Sequence, residues 1–265
     1  MTIRAAFFDI DGTLVSMKTR EMPASCRKAL YAMKEKGIRL FISTGRPPVQ
    51  IPLLTKDLSS FPWDGMILMN GQYCIDENGV PFHKLPVKKE TLDVLIPWLK
   101  KEADFPCQFY EIGGSYDIAF NPGMYQYLSS LGKEDEMPPV EDPVRAFEHE
   151  TYQICPYIEE SRDAEFLLHA PGMESARWSP HFADMIPAGG GKAEGIRRTL
   201  EHFGLQDDEF IAFGDGGNDI SMIRAAAIGV AMGNADDRVK ASADYVTAEC
   251  ENDGIYQACV HFGLI

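Results

Sequence analysis

Phe7-Phe8-Asp9-Ile10-Asp11-Gly12-Thr13-Leu14 is the stretch from which the fold is read. The apolar run from Ala5 to Phe8 reads as a buried strand, ending in two carboxylates one residue apart and a glycine turn. In an open α/β sheet, ligands sit in the crevice outside the carboxyl ends of the strands, which places both acids there. Like charges at that spacing repel unless a cation or a shared proton offsets them. Magnesium fits, being hard, oxygen-seeking and usually held by one or two carboxylates plus phosphate. Asp9 and Asp11 therefore read as part of a metal-dependent phosphoryl-transfer site, against the plainer reading of a polar strand-to-loop turn.

Outward from this stretch the chain alternates helix and strand. Residues 23–36 carry Cys26, Leu30 and Met33 at helical spacing, with Gly37 placed to end the helix. A strand from Ile38 to Ile42 runs into Ser43-Thr44-Gly45-Arg46, and Pro47 and Pro48 suit the first turn of a following helix. Met66 to Met69 is another buried strand, ending at Asn70-Gly71. This alternation predicts a parallel sheet covered on both faces. Between about His83 and Asp184 the texture changes to helical candidates interleaved with short alternating or aromatic runs, such as Cys107–Tyr110, Tyr116–Phe120 and Tyr152–Ile158. That segment reads as an inserted α+β domain with a mainly antiparallel sheet. From Lys192 the strand–helix texture resumes: a helix closed by Gly204, strands at Phe210–Phe213, Ile228–Ala231 and Tyr245–Thr247, and a terminal helix. The expected domains are a split core, 1–82 and 185–265, and an insert, 83–184.

Three further segments bear chemistry. Thr44 and Gly45 offer a hydroxyl and backbone amides at a helix N-terminus, a phosphate cradle as well as a plain cap. Arg46 is either a solvated surface side chain or a group that reaches the substrate. Lys192 follows Gly189-Gly190-Gly191 and opens a helix, a position mildly unfavourable for a cation. Next to a glycine hinge it reads as a charge placed for a phosphate. In Gly214-Asp215-Gly216-Gly217-Asn218-Asp219, Asp215 can complete a metal's carboxylate set and Asn218 can donate to a phosphoryl oxygen. Asp219 can hold a metal-bound water or orient Lys192. Each segment has a bland reading, but their joint occurrence at strand and helix ends favours phosphoryl transfer.

Composition narrows the field. The 265 residues are 45% hydrophobic and 25% charged, as in a soluble globular protein large enough for a sizeable core. No apolar run approaches membrane-span length, and the core strand begins too early to leave room for a signal peptide. A net charge of −15 argues against nucleic acid or an anionic membrane as partner. The six cysteines are scattered without zinc-type spacing, which fits reduced thiols in a cytoplasm.

The set Asp9-Ile10-Asp11-Gly12-Thr13, Ser43-Thr44-Gly45-Arg46, Lys192 and Gly214–Asp219 resembles the four motifs of the haloacid dehalogenase superfamily of phosphatases. The insert between the second and third motifs resembles the Cof-type subfamily with a type IIB cap. The likeness runs the whole chain, through Ala225–Ala235 and Ala243–Thr247, and is nearest to bacterial sugar-phosphate phosphatases. The resemblance implies a Rossmann-like core, a small phosphate-ester substrate and a Mg2+ cofactor. Asp9 would be the nucleophile and Asp11 the general acid and base. The metal would be held by the carboxylates of Asp9 and Asp215 and the backbone carbonyl of Asp11. The phosphoryl group would be held by Thr44, Gly45, Lys192, Asn218 and the amides of Ile10, Asp11 and Gly12, with Asp219 behind them. Substrate choice is expected in the insert, at Trp178, His181 and the Glu111–Ser115 turn, although an aromatic such as Trp178 is more often insert core than a platform for a sugar. Asn70 is kept as a substrate contact or a support behind one.

A phosphomutase of the same superfamily is the nearest alternative, and the large α+β insert weighs against it. A phospho-ligand binding protein without turnover would be marked by a substituted Asp9 or Asp11, and both acids are present. The physiological substrate and the oligomeric state are not readable from one chain.

Overall fold

A computed structural model describes residues 2–101, 106–130, 135 and 137–265. Strand β1 (Ala5–Phe8) is buried at all four positions, as a strand covered on both faces must be. Its consecutive phenylalanines point to opposite faces and seed one aromatic stack each. Phe7 lies over Phe41 at 4.9 Å, and Phe8 over Phe213 at 4.9 Å. Helix α1 (Ala24–Glu35) buries Cys26, Ala29, Leu30 and Met33, the stripe the sequence marks. Strand β2 (Arg39–Ser43) follows, then a 3-10 turn over Pro48–Leu53, where the prolines suit the tight turn, and the short α2 (Lys56–Ser59).

Strand β3 (Gly65–Leu68) ends in a left-handed turn into β4 (Tyr73–Asp76) and β5 (Pro81–Lys84). Both added pairings are antiparallel, so the sheet is not wholly parallel as the alternation predicts. The Asn70-Gly71 turn reverses the chain where a crossover helix would have kept it parallel.

The second half of this sheet comes from the C-terminal stretch. Helix α6 (Gly191–Phe203) precedes β11 (Phe210–Gly214) and α7 (Ile220–Ala225). Then come β12 (Ile228–Ala231), α8 (Asp237–Lys240), β13 (Tyr245–Val246) and α9 (Gly254–His261). Among the described residues the sheet has eight strands in the order β13-β12-β11-β1-β2-β3-β4-β5. Strand β1 pairs in parallel with both β2 and β11, with Phe8 level with Ile42 and Phe213. Asp9, Ser43 and Gly214 are therefore neighbours at one carboxyl edge.

The residues between form a second compact unit, with α3 (Lys89–Leu99), β6 (Cys107–Glu111), β7 (Gly114–Asp117), α4 (Pro122–Ser130), β8 (Gln153–Pro156), α5 (Asp163–His169), β9 (Met173–Ala176) and β10 (Asp184–Pro187). Its described strands run β7-β6-β8-β10-β9, every ladder antiparallel. Phe109, Tyr116, Ile154 and Met185 pack with Leu92, Leu95 and Phe166 as its core.

The first unit comprises residues up to Arg46, Gln50–Lys84 and Gly189–Ile265; the second comprises Pro47–Val49 and Leu85–Ala188. The division after Lys84 and Ala188 differs from the expected boundaries at 82/83 and 184/185. The reason is pairing: His83 and Lys84 remain in β5 against β4, and Asp184–Pro187 is the strand β10 against β9. All six cysteines are buried and free of disulfides. No described helix is long and apolar enough to cross a membrane.

Candidate active site

The carboxyl edge of β1, β2 and β11 gathers the charged side chains. Asp9 follows β1 directly, its N–H donating to the Phe213 carbonyl at 3.0 Å, and only 8% of its surface is exposed. Lys192, in the first turn of α6, is 1% exposed and donates to Asp9 Oδ1 and Asp219 Oδ1, each at 2.5 Å. A lysine at a helix N-terminus opposes the helix dipole, and here two carboxylates offset that cost. The turn before α6 presses against the β3–β4 turn. A Cβ on Gly71, which sits at φ +96°, would lie 2.1 Å from the Gly191 carbonyl oxygen. The glycines flanking Lys192 thus permit a close approach, where the sequence suggests a hinge.

Asp219 is fully buried and completely engaged. Its Oδ1 takes the Lys192 ammonium, and its Oδ2 accepts the N–H groups of Asp215 and Gly216 at 2.9 and 2.8 Å. Of the two roles the sequence leaves open, orienting Lys192 is the one its bonds match. Asp215 accepts from Thr13 Oγ1 at 2.8 Å on Oδ1 and from Asn234 Nδ2 at 3.1 Å on Oδ2. Ligand oxygens of Asp9, Asp215 and Asp219 all lie within 4.8 Å of one another.

Asp11 is clamped by Arg46, whose Nε and Nη2 donate to its two oxygens at 2.6 and 2.7 Å. Arg46 is thus neither a free surface charge nor an open arm. Thr44, 2% exposed, donates its N–H to the Ile67 carbonyl and accepts the Arg46 N–H on Oγ1 at 3.2 Å. Gly45 lies between them. Asn218 Nδ2 donates to Asn70 Oδ1 at 2.9 Å, and Asn70 N–H donates to the Thr44 carbonyl at 2.9 Å. Asn70 is fully buried in the left-handed region at φ 55°, directly after Met69 at φ 49°. Two such non-glycine residues in succession are strained, and strain of this kind collects at functional sites.

One reading changes here. The Gly12 amide donates to the Val15 carbonyl at 2.8 Å, which removes it from the expected phosphate cradle. What Gly12 provides is room, since at its φ of +88° a Cβ would lie 2.1 Å from Asp215 Oδ2. Trp178 and His181 belong to the second unit. Trp178 is 45% exposed, donates Nε1–H to Asp184 Oδ2 at 3.0 Å and meets Phe182 edge-on at 4.9 Å. The His181 N–H donates to Ser179 Oγ, and Glu111 is taken by both arms of Arg145 at 2.8 and 2.9 Å.

The charges decide what the edge can hold. Four carboxylates, Asp9, Asp11, Asp215 and Asp219, face two cations, Lys192 and Arg46. The excess is two negative charges. Burial raises the Asp9 carboxyl well above its usual range, reinforced by Asp219, Asp215 and Asp11 and opposed by Lys192. Asp215 is pushed up to about 7 by burial and then by Asp219. Burial works against the Lys192 charge, yet Asp219 and Asp9 hold the ammonium above the ordinary lysine range. A hard divalent cation among these oxygens neutralises the excess, so the donor set fits magnesium.

A family model described as haloacid dehalogenase-like hydrolase matches residues 6–259. The chain belongs to that family. The solved structure of the subclass IIB sugar phosphatase BT4131 is 39% identical over 99% of this hydrolase and 100% of that chain, with a TM-score of 0.88. The phosphatase BT1666 from Bacteroides thetaiotaomicron is 33% identical over 100% and 96%, with a TM-score of 0.90. The pyridoxal phosphate phosphatase YbhA of Escherichia coli (strain K12) is 30% identical over 97% of each chain. The protein is a phosphatase of this family, and its substrate is a phosphate ester.

Sequence reasoning passes over two of the residues at this edge. Thr13 stands inside the first motif, but its bond to Asp215 bridges 202 residues of chain. Asn234 follows β12 as the acids Asp9 and Asp215 follow β1 and β11, and that placement just past a strand's carboxyl end is the signal that could have found it.

Proposed function

We propose that the protein is a magnesium-dependent phosphatase of small phosphorylated metabolites, sugar phosphates above all, acting through an aspartyl-phosphate on Asp9. The observation that carries the reading is the negative excess around Asp9, with Lys192 holding one of its oxygens. The Asp9 carboxylate attacks phosphorus, and the ester P–O bond breaks as Asp11 gives a proton to the leaving alkoxide. Water then attacks the same phosphorus with Asp11 taking its proton, and the bond to Asp9 breaks to release phosphate. The Arg46 clamp on Asp11 must open for either transfer, and an anionic phosphoryl group is a competing partner for the guanidinium. Lys192, Thr44, Gly45, Asn218 and the amides of Ile10 and Asp11 face the transferring group. The carboxylates of Asp9 and Asp215 and the Asp11 carbonyl would hold Mg2+, which would supply positive charge against the phosphoryl oxygens.

In this reading the second unit acts as a type IIB cap, with Trp178 and His181 among the groups that select the alcohol. Sugar phosphates are favoured because BT4131, 39% identical, is a sugar phosphatase, whereas YbhA, named for pyridoxal phosphate, is 30% identical. A cytoplasmic setting agrees with six unpaired cysteines.

Turnover of hexose phosphates and pyridoxal phosphate, with and without chelator, tests the reading. Activity is expected to vanish in excess chelator and return with magnesium, with hexose phosphates preferred. Asp9→Asn is expected to lose at least about a thousandfold and to retain no acid-stable label from phosphate-labelled substrate. Robust turnover in chelator, or near-normal Asp9→Asn, overturns the mechanism, and a preference for pyridoxal phosphate overturns the substrate.

A further inference from the structure

Asn234 lies outside the four motifs, yet its carboxamide makes three of the four hydrogen bonds open to it. Nδ2 donates to the Gly12 carbonyl at 3.0 Å and to Asp215 Oδ2 at 3.1 Å, while Oδ1 accepts the Cys250 N–H at 3.0 Å. One side chain thereby ties the loop after β1, the loop after β11 and the 3-10 turn at Cys250–Asn252 to its own loop after β12. Asp215 is held on its other oxygen by Thr13 Oγ1 at 2.8 Å. Each Asp215 oxygen therefore carries one neutral donor. A carboxylate oxygen offers about two lone-pair sites, so each keeps one for a further partner, in a direction the two donors set. A neutral donor orients a carboxylate without neutralising it, as a lysine or arginine would. Asp9, by contrast, has a full ammonium on Oδ1.

We propose that Asn234 and Thr13 are positioning residues that aim the Asp215 carboxylate at a divalent cation, a role resting on the metal-dependent reading above. The absence of a Cβ on Gly12 completes the arrangement. Asp215 Oδ2 lies only 2.1 Å from where that atom would stand, so the Gly12 turn and the Asn234 amide together fix how close the two loops come.

Titration with Mn2+ alone, following the resonance of the free aqua ion, reads the affinity without turnover. Partners that orient a metal ligand typically affect affinity by 10–100-fold. Asn234→Ala and Thr13→Val are each expected to weaken Mn2+ binding by about 10-fold or more, and Thr13→Ser, which keeps the hydroxyl, to restore it. Thermal unfolding without metal identifies the temperature range in which each variant is folded. Should Asn234→Ala not fold, the Thr13 pair decides alone. Variants that are less stable but bind Mn2+ like the parent chain would show a merely structural role and overturn the inference. A parent chain that binds no Mn2+ would overturn the metal reading and this inference with it.

Discussion

The acidic edge of the first unit and the Gln108 face of the second join their polar groups in opposite ways. In the first, the charges stand together and are paired: Lys192, buried, between Asp9 and Asp219, and Arg46, half-buried, across Asp11. In the second, the sheet face carrying Gln108 is joined through neutral groups. Gln108 Oε1 accepts from Tyr110 at 2.5 Å and Tyr157 at 3.1 Å, and its Nε2 donates to Ser115 at 3.1 Å. Asp117, opposite Gln108 in the ladder and 1% exposed, has no hydrogen-bond partner on either oxygen among the described residues. Burial pushes its carboxyl up to about 7. Concentrated, paired charge suits a site that must hold a dianion and a metal, whereas a face of neutral donors and one carboxyl of raised pKa suits an uncharged polar group.

The largest expected effect comes from removing the central cation. Lys192→Met leaves Asp9 and Asp219 buried without their counter-charge, and breaking such a pair costs about 3–5 kcal/mol. Denaturant unfolding is expected to show that loss together with near-complete loss of turnover. A variant as stable as the parent chain would erase the contrast between the units.

Asp117→Asn is expected to do the reverse. A carboxyl whose folded pKa lies above its unfolded value favours the folded state while both forms hold the proton. That contribution is lost as pH rises from about 4 to about 7. The neutral amide escapes the loss, so the substitution is expected to stabilise the chain by about 2 kcal/mol at pH 8, after allowance for solvent screening, and by less at pH 5. Melting curves at the two pH values check the sign. Destabilisation at pH 8 would mean that Asp117 is held ionised by a partner.

The smallest effect is expected at Trp178. Trp178→Phe removes the bond to Asp184 from a half-exposed ring, about 1 kcal/mol. Under the cap reading, kcat/KM should fall more for hexose phosphates than for a small aryl phosphate. Equal losses on both would take Trp178 out of substrate selection.

The first unit was the more legible because several of its site side chains, Asp9, Thr44, Arg46 and Asp215 among them, sit one to three residues past apolar strands, and strand ends can be read from hydrophobic runs. Asp9, Thr44 and Asp215 were found this way. Register, which brings Phe8 level with Phe213, cannot be read from one strand, so the Thr13 and Asn234 bonds to Asp215 stayed hidden. The β4–β5 hairpin was missed because its strands are four residues each and half-polar, too short for periodicity to register. In the second unit the runs at β6, β7 and β8 were located and β9 and β10 were not, and which polar residues share a face depends on pairing. Trp178 and His181 drew notice through residue type, whereas Gln108 and Asp117 needed the ladder.

The position of β1 between β2 and β11 also governs when the protein can assemble. Strand β1 is made before its partner Phe210–Gly214, which emerges about 200 residues later, roughly 10–40 s at ordinary elongation rates. Until then an edge of Ala5, Ala6, Phe7 and Phe8 has no neighbour on that side, while the stretch Leu85–Ala188 has already left the ribosome with all the strands of its own sheet. The nascent chain thus carries a finished insert on an unfinished host, with an apolar strand exposed for chaperones to cover, and Asp9 meets Lys192 and Asp219 together only after β11 and the loop that follows it have appeared.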